Sequence, residues 1–531
     1  MSLAHSHGSC PGSGHCTDRR RFLQGCGAAA VTAAGSLLPG SHAAAGKKAD
    51  AKVRVATVFL ASMNTREIWP YPGFDTERRQ REILSALGTG CPETEFVPVT
   101  VQAQGDLRKA VALKDEVDGY LVYAMTLVWN QRGMIVEMAR LGKPTLVADE
   151  FLGGSGVFLT GVSALATSGT PVAAVSSTRL DDLVAVAREF AGVREPGATP
   201  ASFARRCEHV YRKTFPATGR MTCTDDPVPL NDVNECVKRF RESRFLIVGR
   251  GHGGQERDFL GATGRYVDFG ELSALYEQVD PAKAAKWAER WTGEAEALPP
   301  GDYVEPSRPS AEAVRKAGRM YLATLKLCET YGTDSVTINC LGGFSAGKLA
   351  SYPCLGFMQI QNDGGQGVCE AMPDDTLSML MVRILTGRPG FVSDPALDTS
   401  RNRIVYAHCV GTTRVFGPKG DANAFRIRTL HNRDPRGACA ESMMPAGYMT
   451  TSCRTNAGRK ELIIHQAKAL GPLETEKGCR TKLVGEVRGD IGKMFDQWDR
   501  FGWHRVTVYG DVKEPLAEFA KALGLKVIEE A

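Results

Sequence analysis

Val53-Arg-Val-Ala-Thr-Val-Phe-Leu60 carries a single charge in a run enriched in β-branched residues, and a short apolar run of that kind reads as a buried strand. The chain after it alternates. A helix is expected from about Asp75 to Leu87, a strand at Phe96–Val101, a helix near Asp106–Leu113, a strand at Gly119–Ala124, a helix near Arg132–Leu141 and a strand at Pro144–Ala148. Strands separated by helices predict a parallel sheet covered by helical layers.

The same reading extends downstream. Pro196, Gly197, Pro200 and the polar run Thr222–Asp226 mark a looser connection. A second α/β block is expected to open at Phe245-Leu-Ile-Val-Gly249 and to turn through Gly249-Arg-Gly-His-Gly-Gly254. It continues through a long helix near Ala311–Tyr331, strands at Ser335–Leu341 and Gly356–Ile360, and a helix over about Asp375–Leu385 that Gly387-Arg-Pro-Gly390 stops. From Arg403 onward short strands dominate, among them Arg403–His408, Glu461–His465 and Arg505–Tyr509, closed by one helix near Pro515–Leu523. The predicted fold is therefore α/β: two Rossmann-like parallel-sheet domains, 50–170 and 171–400, followed by a β-rich domain, 401–531.

Upstream of Val53 the chain reads as a targeting segment, 1–45. A polar start leads to Asp18-Arg19-Arg20-Arg21-Phe22-Leu23-Gln24, then to an uncharged Ala- and Gly-rich stretch from Gly25 to Gly40, and Ala43-Ala44-Ala45 supplies small residues for cleavage. That order is the pattern of a twin-arginine (Tat) signal peptide. Gly25, Gly27, Gly35 and Pro39 interrupt the stretch, whereas a spanning helix needs about 20 strongly apolar residues. The expectation is export, to the periplasm or otherwise beyond the membrane, with the Tat translocase as partner. His5, His7, Cys10, His15 and Cys16 fall in the part expected to be removed and are set aside.

About 485 residues follow the segment, enough for two to four domains at roughly 100–200 residues each. A formal net charge of +5 on 531 residues gives no electrostatic footprint for nucleic acid. Of the 15 cysteines, Cys10, Cys16 and Cys26 lie in the targeting segment. The others are scattered without Cys-x-x-Cys spacing and are expected to be buried free thiols, as suits a chain that folds in a reducing cytoplasm before export.

Two glycine-rich turns fail as nucleotide motifs. Gly342-Gly-Phe-Ser-Ala-Gly347-Lys348 matches the start of a phosphate-binding loop, but Leu349 stands where a Ser or Thr should reach magnesium, and Pro353 denies the long helix. The turn after Val248 lacks the third glycine spacing of a dinucleotide fingerprint. Its place after a strand still makes Arg250 and His252 candidates for contact with a sugar or anion.

Three separated segments carry metal-ligand types beside turns: Gly367-Val-Cys-Glu370-Ala-Met, Ile404-Val-Tyr-Ala-His408-Cys-Val-Gly and Phe501-Gly-Trp-His504-Arg-Val-Thr-Val-Tyr-Gly510-Asp. One carboxylate with two imidazoles suits a divalent cation such as manganese and leaves positions for substrate hydroxyls. Taken singly, a histidine on an apolar strand is more often a hydrogen-bonded core residue than a ligand, and Glu370 alone reads as a residue that favours a helix start.

From about Val53 to its end the chain resembles the fucose isomerase and arabinose isomerase superfamily, in its divergent fucose isomerase-like branch. The residues carrying the resemblance are Pro353-Cys-Leu-Gly-Phe, Asn362-Asp363, Val368-Cys-Glu370, Met379-Leu-Met-Val-Arg-Ile-Leu-Thr-Gly387-Arg-Pro, Tyr406-Ala-His408-Cys, Gly478-Cys-Arg-Thr481 and His504-Arg-Val-Thr-Val-Tyr-Gly-Asp511. The resemblance implies two α/β domains with a β-rich third, a homo-oligomer with sites between subunits, and manganese-dependent interconversion of aldoses and ketoses. It implies Glu370, His408 and His504 as metal ligands, with Arg66, Trp69 and Trp129 helping to hold a monosaccharide. The chain departs from the superfamily twice: a second carboxylate expected about two dozen residues before Glu370 is replaced by Gly342-Gly343-Phe344, and a further acid by Met372. Asp363, Asp374 or Asp375 then remains to share catalysis with Glu370, Asp363 being the first choice. The other class of function is an exported, non-isomerising sugar-binding protein on the same scaffold.

Overall fold

The computed structural model describes residues 51–62, 69–128, 130–298, 308–431 and 434–531. The targeting segment, Arg66 and Trp129 lie outside the described residues. Lys52–Ala531 forms one compact unit. Among the described residues no helix is long and apolar enough to cross a membrane.

Val53–Leu60 is a strand buried along nearly its whole length, and it sits second in a five-stranded sheet. The order is Thr94–Val101, Val53–Leu60, Gly119–Ala124, Thr145–Asp149 and Ala173–Val175, every pair parallel. Parallel strands with both faces covered need apolar side chains at successive positions, which is why this run is continuous rather than alternating. The helix Thr76–Gly90 that follows is started by Asp75, whose side chain accepts from the Arg78 N–H, relieving one of the unpaired donors of the first turn. Ala173–Val175 completes this sheet from beyond position 170.

The second sheet has the order Gln366–Cys369, Ser335–Ile338, Arg244–Val248, Ala262–Val267 and Glu256–Phe259, with only the last strand antiparallel. The expected strand at Gly356–Ile360 is instead part of the helix Cys354–Asn362. A short apolar run of this length suits a buried helix as well as a strand. Here Gly356 settles against Tyr321, where a Cβ would come to 3.0 Å. The strand from Ser335 ends early, at Ile338, and Asn339 starts a short helix, Cys340–Ser345. Pro200, read as part of a loose connection, stands at the first turn of the helix Pro200–Arg212 behind a Thr199–Ser202 capping box.

The third sheet is a barrel. Met449–Asn456, Arg505–Tyr509, Phe391–Asp398, Arg403–His408, Thr481–Arg488 and Glu461–Pro472 follow one another, and Glu461–Pro472 pairs back onto Met449–Asn456. All of these pairings are antiparallel, and closure removes the exposed edges that an open sheet would leave. Lys526–Glu529 adds to it in parallel. Phe391–Asp398 enters from before position 401, and two helices rather than one accompany the barrel, Met494–Phe501 and Lys513–Ala522. Every described cysteine is a free thiol, and only Cys223 is not buried.

Candidate active site

Glu370 directly follows the strand Gln366–Cys369 and precedes the helix Pro373–Thr386. Its φ is 67° and that of Ala371 is 50°, a left-handed conformation that costs a non-glycine residue of order 1–3 kcal/mol and clusters at functional sites. The neighbouring strand holds this turn in place: the Ala371 N–H donates to the Ile338 carbonyl at 3.1 Å, and the Met372 N–H to Thr337 Oγ1 at 3.1 Å. The Glu370 side chain thereby faces the cavity between the second sheet and the barrel.

The barrel supplies the imidazoles. His408 ends the strand Arg403–His408, and His504 stands immediately before the strand Arg505–Tyr509. Glu370 Oε1 is 3.8 Å from His408 Nε2, and Glu370 Oε2 is 3.7 Å from His504 Nε2. One ligand atom from each residue lies within 4.8 Å of the others. Separations of 3.7 and 3.8 Å are too long for hydrogen bonds. They lie within the span of two bonds of about 2.1 Å to a shared cation.

His504 is oriented from behind. Its Nδ1 contacts Asp375 Oδ2 at 2.5 Å, and the other Asp375 oxygen accepts from Arg454 Nε at 2.6 Å. A carboxylate on Nδ1 fixes the tautomer that leaves Nε2 for the cavity, as second partners of metal-binding histidines commonly do. There Nε2 meets Asp394 Oδ1 at 3.1 Å. Burial works against a charge on His504, but Asp375 and Asp394 outweigh it and lift its pKa well above the ordinary imidazole value. Burial likewise opposes the charge on Asp394, and His504 then holds its carboxyl below the usual range. His408 Nδ1 is buried without a hydrogen-bond partner among the described residues.

The cavity has a volume of about 300 Å³, at the lower end of the ~300–1,000 Å³ typical of small-ligand sites. Trp69, Leu127, Tyr352, Leu430 and Trp503 contribute apolar walls, and Glu370, Asp394, His408 and His504 are among the polar groups. This division suits a ligand held by its faces and oriented by a few polar atoms.

Of the sequence-predicted residues the structure brings Glu370, His408, His504 and Trp69 to this cavity. It does not bring Asp363, Arg250 or His252. Because Cys354–Asn362 is a helix, Asp363 caps its far end, where it accepts from Gln359 Nε2 at 2.9 Å and Tyr321 Oη at 3.3 Å and lines a separate cleft. Arg250 and His252 are exposed in their turn. Phe269 packs against the first residue of the turn, its ring leaving no room for even a Cβ at Gly249. Asp375 acts behind His504, and Asp374 accepts from the Ala457 N–H at 2.9 Å and lines a different cleft.

Asp394 went unread. Its one sequence signal is an isolated carboxylate within the apolar run Phe391-Val-Ser-Asp394-Pro-Ala-Leu, which the strand pairs with Ala407, one residue before His408. Where the superfamily resemblance puts another acid, Gly343 is packed so that a Cβ would meet the Phe269 ring at 2.5 Å and Leu349 Cδ1 at 2.8 Å.

No family model matches the chain. Among curated proteins, the sulfoquinovose isomerases of Priestia aryabhattai and Priestia megaterium are similar to part of it, each 25% identical over 222 residues. The match covers 40% of this chain and 48% of each relative, so the chain spans about half the length of the curated relatives it matches.

Proposed function

We propose that this chain is a sugar isomerase that interconverts an aldose and a ketose by proton transfer at a metal-assisted site. The observation that carries the reading is the convergence of Glu370, His408 and His504 from two sheets onto one cavity wall. Two similar proteins named as isomerases support the reaction class. A divalent cation such as manganese, when bound, would polarise the carbonyl and the neighbouring hydroxyl of an open-chain sugar.

The chain's own groups supply the rest. Glu370, His408 and His504 would hold the cation, and Asp375 keeps His504 in its binding tautomer. Asp394, ionised and facing the cavity, takes a proton from the hydroxyl-bearing carbon beside the carbonyl and returns it to the former carbonyl carbon, while the hydroxyl proton passes to the former carbonyl oxygen, through an enediol. Trp69 and Trp503 cover the sugar faces and keep water from the exchanging proton. In the same proposal the twin-arginine segment exports the folded, metal-loaded chain, and the working form is a homo-oligomer.

The test pairs metal analysis of the purified protein with a panel of aldoses and ketoses, sulfoquinovose among them. Glu370→Ala, His408→Ala and His504→Ala should each lose bound metal and turnover together, because a site with few protein ligands has none to spare. Metal content unchanged in all three would remove the site. Export is checked separately: Arg19→Lys with Arg20→Lys should retain the chain inside the cell. One observation favours binding without turnover, namely the packing of Gly343 against Phe269 where the superfamily resemblance puts a catalytic acid. Metal and sugar binding with no interconversion of any sugar would select that second reading.

A further inference from the structure

The same cavity holds a second group of donors, sulfur-rich and remote in sequence. Cys409 Sγ lies 3.5 Å from His431 Nδ1, and Cys479 Sγ lies 3.9 Å from the same nitrogen. All three ligand atoms fall within 4.8 Å of one another. Cys409 leaves the end of strand Arg403–His408, His431 stands in the loop after strand Phe425–Arg428, and Cys479 precedes strand Thr481–Arg488. Scattered spacing in sequence becomes one cluster because barrel strands Arg403–His408 and Thr481–Arg488 are direct neighbours, with His408 opposite Thr481.

The distances decide between a chance contact and a built site. A tetrahedral zinc ion with Zn–S about 2.3 Å and Zn–N about 2.0–2.1 Å separates a sulfur from a nitrogen by about 3.5 Å and two sulfurs by about 3.8 Å. The two sulfur–nitrogen separations here, 3.5 and 3.9 Å, bracket what such an ion requires. Both cysteines are buried and free, and His431 is braced by Trp69, the ring centres lying 5.1 Å apart. Two thiolates in an apolar wall would be costly to ionise alone, and a dication compensates their charge while thiolate and imidazole ligands select zinc over harder ions.

We propose that Cys409, His431 and Cys479 bind a thiophilic divalent cation, zinc, with its fourth position open to the cavity. Cys439 abuts Cys409, but its thiol is directed at the Thr429 carbonyl, 3.2 Å away, and the Arg428 carbonyl, 3.4 Å away, so it stands outside the set. Three protein ligands with one position left for water or a ligand atom is the arrangement of reactive rather than purely structural zinc sites. All three donors line the cavity, so an anionic or sulfur-bearing group of a bound molecule can reach the open position. This site is independent of the Glu370 site and stands whether or not the chain isomerises sugars.

The test uses the purified full chain, stripped with a chelator and titrated with cobalt(II) as a spectroscopic substitute for zinc. A thiolate-to-cobalt charge-transfer absorption should rise to a plateau, reached at one equivalent in Glu370→Ala, and disappear when zinc is added. It should persist in Glu370→Ala, whose own site offers only oxygen and nitrogen, and be absent from Cys479→Ser. A second measurement on the unaltered chain covers the case in which Cys479→Ser does not fold: zinc should protect Cys409 and Cys479 from alkylation under native conditions. Absence of the charge-transfer band from the unaltered chain overturns the proposal. So does a band that survives in folded Cys479→Ser, or a Cys409–Cys479 disulfide forming under mild oxidant with zinc present.

Discussion

Asp375 grips His504 Nδ1 with one oxygen at 2.5 Å and Arg454 Nε with the other at 2.6 Å. The aspartate is fully buried, as are the two cations or potential cations it joins. It ties the helix Pro373–Thr386, which begins beside Glu370, to the barrel that carries both histidines. The two halves of the proposed metal-ligand set are thus held in register by one carboxylate.

Asp375→Asn should separate these roles. The amide keeps the shape but not the charge, leaving Arg454 buried without its anion, a change that costs about 3–5 kcal/mol in comparable buried pairs. Loss of the partner on Nδ1 should also weaken metal binding about 10–100-fold. Thermal unfolding and metal titration of one preparation measure both. A variant as stable and as metal-avid as the unaltered chain would show that Asp375 positions nothing.

How much of this was legible follows from what each residue is doing. Runs such as Val53–Leu60, Gly119–Ala124, Arg403–His408 and Arg505–Tyr509 are strands whose apolar content is dictated by burial on both faces, so composition alone marks them. Cys354–Asn362 is equally apolar but is a helix, and in a run buried on all sides neither period shows. The proposed metal ligands were legible by chemical type, since Glu370, His408 and His504 stand beside turns. Asp394 and Asp375 were harder to assign, because what makes each one matter is a partner more than a hundred residues away in the chain. The thiol cluster was invisible for the same reason: its spacing exists only between neighbouring barrel strands and the loop above them.

Glu530 gives the fold a specific acid sensitivity. Inside the barrel its carboxylate accepts from Arg505 Nε, 3.0 Å from Oε2 and 3.1 Å from Oε1, and His465 Nδ1 lies 2.8 Å from Oε2. Burial opposes the charge, but Arg505 and His465 overcome it and bring the pKa down from 4.5 to about 2. Above 4.5 the group is ionised in folded and unfolded chains alike, and its stabilisation is complete. As pH falls from there toward about 2, the unfolded chain takes up a proton that the folded chain refuses. About 3 kcal/mol of stability should therefore drain away in that window. Urea midpoints measured down the acid limb should fall more steeply for the unaltered chain than for Glu530→Gln, which is less stable at neutral pH but lacks this group's titration. Parallel slopes would dismiss the assignment.

Gly343→Glu restores the acid that the superfamily resemblance puts at this place, and the geometry predicts that it fails. Its Cβ alone would press the Phe269 ring at 2.5 Å and Leu349 Cδ1 at 2.8 Å, on the buried side of a short helix that also carries Cys340 and Leu341 of the cavity wall. Overpacking of this kind costs about 1–3 kcal/mol, and burying an unpaired carboxylate adds to it. Calorimetry should show a lower melting temperature and no gain in turnover. A stable variant with raised isomerase activity would mean that Phe269 yields and that the missing acid was the only obstacle.

Asp394→Asn bears most directly on the chemistry. Asp394 faces the cavity from strand Phe391–Asp398 and is held ionised at neutral pH by His504, so it can accept a proton from a carbon of the bound molecule. The amide is nearly the same size, but it cannot take that proton. If Asp394 is the shuttle, turnover should fall about 10²–10⁴-fold, the range a positioned acid or base contributes. Bound metal and melting temperature should stay near those of the unaltered chain, because Asp375 and Glu370 still fix His504 and the cation. If Asp394→Asn instead loses metal along with activity, Asp394 is a ligand, and the proton must move through Glu370. If it keeps both metal and full turnover, neither role is its own, and the proton transfer belongs to another group in the cavity.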